Sequence, residues 1–387
     1  MKSIHRILAV LIVCVFAALA LAAFAPASLA QSSAIPKRIV GDYGYWSKYD
    51  DPAYSAAQIP FNKLTHINHA GVSFGSDGSL NVPDGFLEPA LITGAHAAGV
   101  KVMLLLGGDF TSLSADPSIQ PALVSNVWSF LTQNGYDGVD IDWEYPASAA
   151  DRKAFIGLLE ALRGALPSPT YTISADVAPW GGSDYGFAES VQYMDYLNIM
   201  MYDCAGPWTD DGQLNSAIIW NPRDPEPYEC EPGGSVQQAI QIYAKLYGIA
   251  LAKLNMGTPF YGYYYTTVNK EFGGCPLAQA TGNDCNDSVL TRNYGTFFKQ
   301  RVNQMGWVTY YDPIAMVPYM LRADGSTGYI TYDDPFSTYS RVFYSDWTNG
   351  LGGTFMWSLD ADYDGKTQDL LDAMYDATLQ LPMPQQQ

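Results

Sequence analysis

Apolar residues recur along this chain in two rhythms. Short runs rich in β-branched and aromatic residues alternate with longer stretches whose apolar positions return every three or four residues. The short runs are RIVGDYGY (residues 38–45), LTHINHAGVSF (64–74), KVMLLLGG (101–108), YDGVDIDW (136–143), YTISADVA (171–178), YLNIMMYD (196–203), KLNMGTPFYG (253–262) and GGTFMWSLD (352–360). Each reads as a strand. Helical patterns lie between and after them: FLEPALITGAHAAG (86–99), PALVSNVWSFLTQNG (121–135), AADRKAFIGLLEALRGAL (149–166), SVQQAIQIYAKLYG (235–248) and TQDLLDAMYDATLQL (367–381). Several end at glycine, the residue that most readily closes a helix. Strands alternating with helices in this number predict an α/β protein, a parallel (β/α)8 TIM barrel. A doubly wound sheet would also alternate, but no glycine-rich dinucleotide fingerprint follows the first strand. The interval 263–350 is far longer than an ordinary connection. Its runs GWVTYYD, AMVPYML and TGYITYDDP read as strands. A small α+β insertion is therefore expected at about residues 263–335, within a barrel domain spanning 31–384. It would decorate the carboxyl-terminal end of the barrel, where active sites of this architecture lie.

The run YDGVDIDW and the two residues after it concentrate the candidate chemistry. Asp140, Asp142 and Glu144 alternate with Val139, Ile141 and Trp143. Alternate side chains of a strand share a face, so the three carboxyls point together, into the barrel. Burying unpaired negative charges costs several kcal/mol each. The cluster escapes that cost by sharing protons, which raises at least one pKa. Glu144, at the carboxyl end, would stand at the open mouth. A carboxylic acid kept protonated there near neutral pH is a ready general acid. The alternatives are a structural hydrogen-bonded cluster or a calcium site, although calcium loops are kinked turns rather than strands.

The amino terminus changes the picture of where the protein works. MKSIHR is a short basic start, ILAVLIVCVFAALALAAFA a long apolar run, and ASLA a small-residue ending before Gln31. Residues 1–30 read as a secretory signal, so the expected location is extracellular. A retained membrane anchor is the alternative for this run. The chain has 39 acidic against 20 basic residues, a net charge of −19, and the signal would remove Lys2 and Arg6. Such a charge disfavours nucleic acid and anionic membrane surfaces as partners. Aromatic residues make up 14% of the chain, which suits the binding of neutral, ring-shaped ligands. Cys14 lies in the signal, and Cys204, Cys230, Cys275 and Cys285 remain for an oxidising compartment. Among the possible pairings, proximity favours Cys204–Cys230 and Cys275–Cys285. No CxxC or His pair at ligand spacing speaks for zinc, because His66 and His69 would face opposite sides of a strand.

DGVDIDWE matches the DxxDxDxE signature of the family-18 glycoside hydrolases, the chitinase family, which this chain resembles. MMYDCAGPW (200–208) is similar to the family's MxYD strand and the loop after it. MGTPFYG (256–262) and GGTFMWSLDAD (352–362) resemble its seventh and eighth strands, KLTHINHA its second, and YITYDDP the close of its insertion. The likeness runs in order through nearly all of the chain beyond residue 30. It implies a (β/α)8 barrel that hydrolyses β-1,4-linked N-acetylglucosamine polymers without a protein nucleophile, the substrate's own acetamido group attacking the sugar carbon. It also implies no cofactor and no metal. Glu144 would be the general acid and then the base. Asp142 would orient the acetamido group and stabilise its charged form. Asp140 would share a proton with Asp142, Asp137 would support the strand, and Tyr202 would hydrogen-bond the acetamido oxygen. Met200, Asp203, Trp208, Tyr261 and Trp357 would bind the sugar, with Trp357 as its floor. The partner it implies is chitin or its oligosaccharides, and the expected state is a monomer.

The resemblance has gaps. The family's third strand carries a serine and a later aromatic residue where this chain has Leu105 and Asp109, and its first strand a tyrosine where this chain has Asp42. The lost serine and tyrosine hydrogen-bond the innermost aspartate of the signature in many relatives. Tyr263 stands where an arginine is common. These departures keep two alternatives open: a chitin-binding lectin of the same fold, and a hydrolase of other glycans containing N-acetylglucosamine. Lectins of this kind generally lose the terminal glutamate of the signature, and Glu144 is present.

Overall fold

The computed structural model describes residues 36–223, 230, 234–275, 285 and 288–386. The expected signal, with Cys14, lies outside the described residues. Eight parallel strands form the barrel: β1 (Arg38–Gly44), β2 (His66–Phe74), β3 (Lys101–Leu106), β4 (Gly138–Asp142), β5 (Thr172–Val177), β6 (Tyr196–Ile199), β7 (Leu254–Pro259) and β8 (Gly353–Trp357). β1 pairs with both β8 and β2, which closes the sheet. Closure removes the unpaired edges and leaves one face of every strand inside and one outside.

The β4 unit shows how the local sequence builds this wall. Val139 and Ile141 point outward and are fully buried. The helix Ala149–Ala165 packs over them with Phe155, Leu158, Leu159 and Leu162, whose spacing forms one helical stripe. Each such side chain contributes about 1.5–3 kcal/mol on burial. Ser148 starts the helix, its hydroxyl accepting from the Asp151 backbone N–H at 3.1 Å. The preceding helix, Gln120–Asn134, stops where Gly135 takes φ 76°, a left-handed conformation that costs glycine little. Gly138 answers to a different demand. A Cβ there would lie 2.0 Å from the Thr172 carbonyl oxygen of the next strand, so only glycine admits that approach.

Between β7 and β8 the chain forms a five-stranded antiparallel sheet from Tyr261–Tyr265, Val289–Asn293, Trp307–Asp312, Val317–Arg322 and Tyr329–Thr331. Disulfides join Cys204 to Cys230 and Cys275 to Cys285, the pairing that proximity favours.

The sixth strand is shorter than the apolar run 196–203 predicts. After Ile199 the N–H groups of Met201 and Tyr202 bond back to the carbonyls of Ile199 and Met200, both at 2.8 Å. Asp203 then takes φ 60°, which a strand excludes. Apolar content reflected burial at the barrel mouth here, not continued pairing.

Several carboxyls are buried away from the barrel axis. Burial raises Asp346 from 3.8 to about 7 and Asp362 from 3.8 to about 8. The native state therefore keeps protons that the unfolded chain releases near 3.8. Their contribution to stability is fully present below that value and declines as pH rises to about 8. Melting temperatures measured between about pH 4 and about pH 9 are expected to fall across that window. A flat or rising profile would contradict the protonated assignment.

Candidate active site

The carboxyl ends of the barrel strands open into a cavity of about 370 Å³, lined by Asp142, Glu144, Tyr145, Asp176, Met200, Tyr202, Asp203, Tyr261, Tyr263, Thr291, Asn293, Trp357, Ser358 and Ala361. That volume lies within the range of small-molecule sites. The alternation in β4 places Asp140 deep in the barrel at 0% exposure, Asp142 above it at the cavity wall, and Glu144 exposed at the mouth. Asp137 lies apart from them. Its carboxylate accepts from Val102 N–H and faces His96 Nε2, each at 2.8 Å, and so ties β4 to β3 and to the helix Pro89–Ala97.

Asp142 and Asp176 face each other across the register of β4 and β5. Burial first, then the charges of Glu144 and Asp140, raises Asp142 well above its ordinary value. Asp176 and Asp42 are raised well above theirs in the same way, by burial and by neighbouring carboxyls. Asp140 is pushed only to about 6, because burial is opposed by hydrogen bonds from Ser174 and Asp176. The cavity walls raise Glu144 too, a hydrogen bond with Tyr145 lowers it, and the charge of Asp203 adds to the rise. At neutral pH the cluster therefore holds protons.

Asp203 is held by the antiparallel sheet. Its Oδ1 accepts from the hydroxyls of Tyr261 and Tyr263, the latter at 2.7 Å, and its N–H donates to Asn215 Oδ1 at 2.9 Å. Tyr261 and Tyr263 share one face of their strand, and Tyr264 turns the other way onto Trp307 and Phe297. The adjacent strand pairs Asn293 with Tyr261 and Thr291 with Tyr263, which brings both polar side chains to the same cavity. The Cys204–Cys230 bridge anchors the chain directly after Asp203.

Trp357 closes β8 at the cavity, its ring 6.4 Å from that of Trp46. Trp208, expected on the cavity side, stands one ring back instead. It packs edge-on against Tyr263 at 5.8 Å, and Tyr263 lines the cavity while Trp208 does not. The other expected residues, Met200, Tyr202, Asp203 and Tyr261, all line the cavity. Among the described residues no group of three or more His, Cys, Asp or Glu side chains is arranged to hold a metal ion. No helix among them is long and apolar enough to cross a membrane.

Residues 38–362 match the family described as Glycosyl hydrolases family 18. The chain belongs to this family. It is 26% identical over 423 residues to Chitinase A1 of Niallia circulans, covering 87% of this chain and 58% of that protein. It is 27% identical to an endochitinase of Manduca sexta, over 89% of this chain and 67% of that protein. The chain thus spans between about half and two thirds of the length of these two relatives. The fold matches Ostrinia furnacalis Group II chitinase catalytic domain 2 with a TM-score of 0.77 at 24% identity, covering 90% of this chain and 98% of that one. It matches an Ostrinia furnacalis Group IV chitinase in complex with allosamidin with a TM-score of 0.75 at 21% identity, covering 89% and 99%.

This family-18 barrel departs from the pattern around its innermost carboxyl. Leu105 lies beside Asp140 in register and offers it no hydrogen bond. Donors come from the other side, from Ser174 Oγ on β5 and Asn198 Nδ2 on β6. Sequence reasoning missed Asp176, Asn198 and the hydroxyl of Tyr263. Asp176 had a signal, a lone acidic residue within the apolar run ISADVA, but its meaning depends on a neighbour in another strand.

Proposed function

We propose that this protein is a secreted, monomeric chitinase that cleaves β-1,4 bonds between N-acetylglucosamine units with retention of configuration. The observation that carries the reading is one cavity lined by Glu144, Asp142, Tyr202, Asp203 and Trp357 together. Glu144, whose pKa burial against the cavity walls raises, protonates the glycosidic oxygen as the C1–O bond breaks. The carbonyl oxygen of the substrate's acetamido group attacks C1 from the other face and forms an oxazolinium ion. Asp142 orients the amide N–H and offsets the positive charge that develops there, and Tyr202 hydrogen-bonds the acetamido oxygen. Water then attacks C1, Glu144 takes its proton, and the acetamido group is released. Met200 and Tyr261 complete the walls, Asp203 holds the distorted sugar, and Trp357 supplies an apolar face beneath the ring.

Incubation with soluble N-acetylglucosamine oligomers, with products read by mass and by anomeric NMR, tests this reading. Shorter oligomers released first as the β-anomer are expected. Binding without cleavage would make the protein a lectin, and α-anomer products would exclude the retaining route. Trp357→Ala is expected to raise KM by roughly ten- to thirtyfold, equivalent to about 1.4–2 kcal/mol of lost contact with the sugar face. An unchanged KM would remove Trp357 from the binding surface.

A further inference from the structure

A line of hydrogen bonds crosses the barrel floor and ends on the carboxyl that sequence reasoning missed. It starts at Arg38 on β1, a side chain that only donates. Its Nε donates to Asn255 Oδ1 at 2.9 Å. That orients the Asn255 amide, whose Nδ2 donates to Asn198 Oδ1 at 2.9 Å. The Asn198 amide is oriented in turn, and its Nδ2 faces Asp176 Oδ1 at 2.9 Å and Asp140 Oδ1 at 3.3 Å. The unambiguous donor at one end thus settles both amides, which are otherwise free to be flipped.

One nitrogen therefore holds an oxygen of each of two buried carboxyls, at 0% and 3% exposure. Two carboxylates this close in a buried site do not both stay charged. Asp140 is the better stabilised anion, because Ser174 Oγ and Asn198 Nδ2 both donate to it. The other ionisable neighbours include Asp42 from β1, Asp142 from β4 and Glu144 just after it, Tyr185, Tyr196 from β6 and Tyr202 just after it. β3 presents only the apolar Leu105 beside Asp140. His66 of β2 stands edge-on to Tyr196 and is neutral, its pKa lowered to about 3 chiefly by burial. Of the cations at this end of the barrel, Lys101 donates to Thr172 Oγ1 at 3.0 Å, and Arg38 acts through the two amides.

We propose that Asp176 is a positioning residue: a neutral carboxylic acid that donates its proton to Asp140, satisfies the buried anion and leaves Asp142 unclaimed for the substrate amide. It takes over the support that Asp42 and Leu105 do not give. The causes agree with this division: hydrogen bonds from Ser174 and Asp176 oppose the rise of Asp140, whereas burial and the charges of Asp140, Asp42 and Asp142 raise Asp176. The assignment rests on the reading of Asp142 given above.

Two measurements test it, and only one requires activity. Infrared difference spectra of protein labelled with ¹³C at the aspartate carboxyls are compared for wild type and Asp176→Asn at neutral pH. Loss of one protonated-carboxyl band is expected, and loss of an ionised band instead would overturn the proposal even if no substrate is ever cleaved. In kinetics, Asp176→Ala is expected to lower kcat by about tenfold to a hundredfold, the scale of one hydrogen bond to a charged group, while KM changes little. Asp176→Asn, whose amide still donates to Asp140, is expected to recover most of that loss. Wild-type kcat in Asp176→Ala, or no recovery in Asp176→Asn, would overturn the positioning role. Wild-type protein that cleaves no oligomer would instead sink the hydrolase reading, and the infrared comparison would still decide the proton.

Discussion

Glu144→Gln is expected to abolish turnover while leaving oligosaccharide binding in place. Loss of a general acid and base costs about 10²–10⁴-fold, and here one side chain serves both halves of the reaction, so the upper end of that range applies. Glutamine has the size and hydrogen-bonding capacity of the protonated acid but no proton to give. Binding measured by calorimetry with a soluble oligomer should match that of wild type within a few fold. The pH profile supplies a second check. The protonated form of Glu144 starts the reaction, and the cavity walls raise its pKa above 4.5. Activity should accordingly persist above the ordinary glutamate range and fall as pH rises through the raised value. Appreciable hydrolysis by Glu144→Gln would mean that another group is the acid.

The second large effect is expected at Asp142. Asp142→Ala should lower kcat by about 10²–10³-fold, the scale of removing one group aimed at developing charge, because the oxazolinium ion then forms beside an apolar gap. Asp142→Asn should fall between wild type and alanine, since its oxygen still meets the amide N–H without a charge. The two variants separate orientation from electrostatics when kcat and KM are measured side by side. A kcat for Asp142→Ala within about threefold of wild type would leave the attack on C1 without the proposed assistance.

Much of this site was legible in the chain before any coordinates. The alternation in DGVDIDWE fixes which carboxyls share a face, because side-chain direction in a strand depends on the backbone of that strand alone. The same holds for Tyr261 and Tyr263, two positions apart in one strand and both bonded to Asp203. Trp208 shows the limit of local reading. Its motif predicts a place in the cleft, but its ring packs edge-on against Tyr263, which lines the cavity where Trp208 does not, and no local pattern records which of two aromatic rings reaches the cavity.

The sequence by itself determined the strand and helix succession, the inward face of β4 and the candidacy of Glu144 and Asp142, since periodicity, propensity and a short motif are properties of contiguous residues. The tertiary structure alone decided that Asp176 stands opposite Asp142, that Asn198 bridges Asp140 and Asp176, and that Thr291 and Asn293 reach the same cavity from another sheet. These facts depend on register and on the order of strands around a closed barrel. Both are set by packing between segments far apart in the chain.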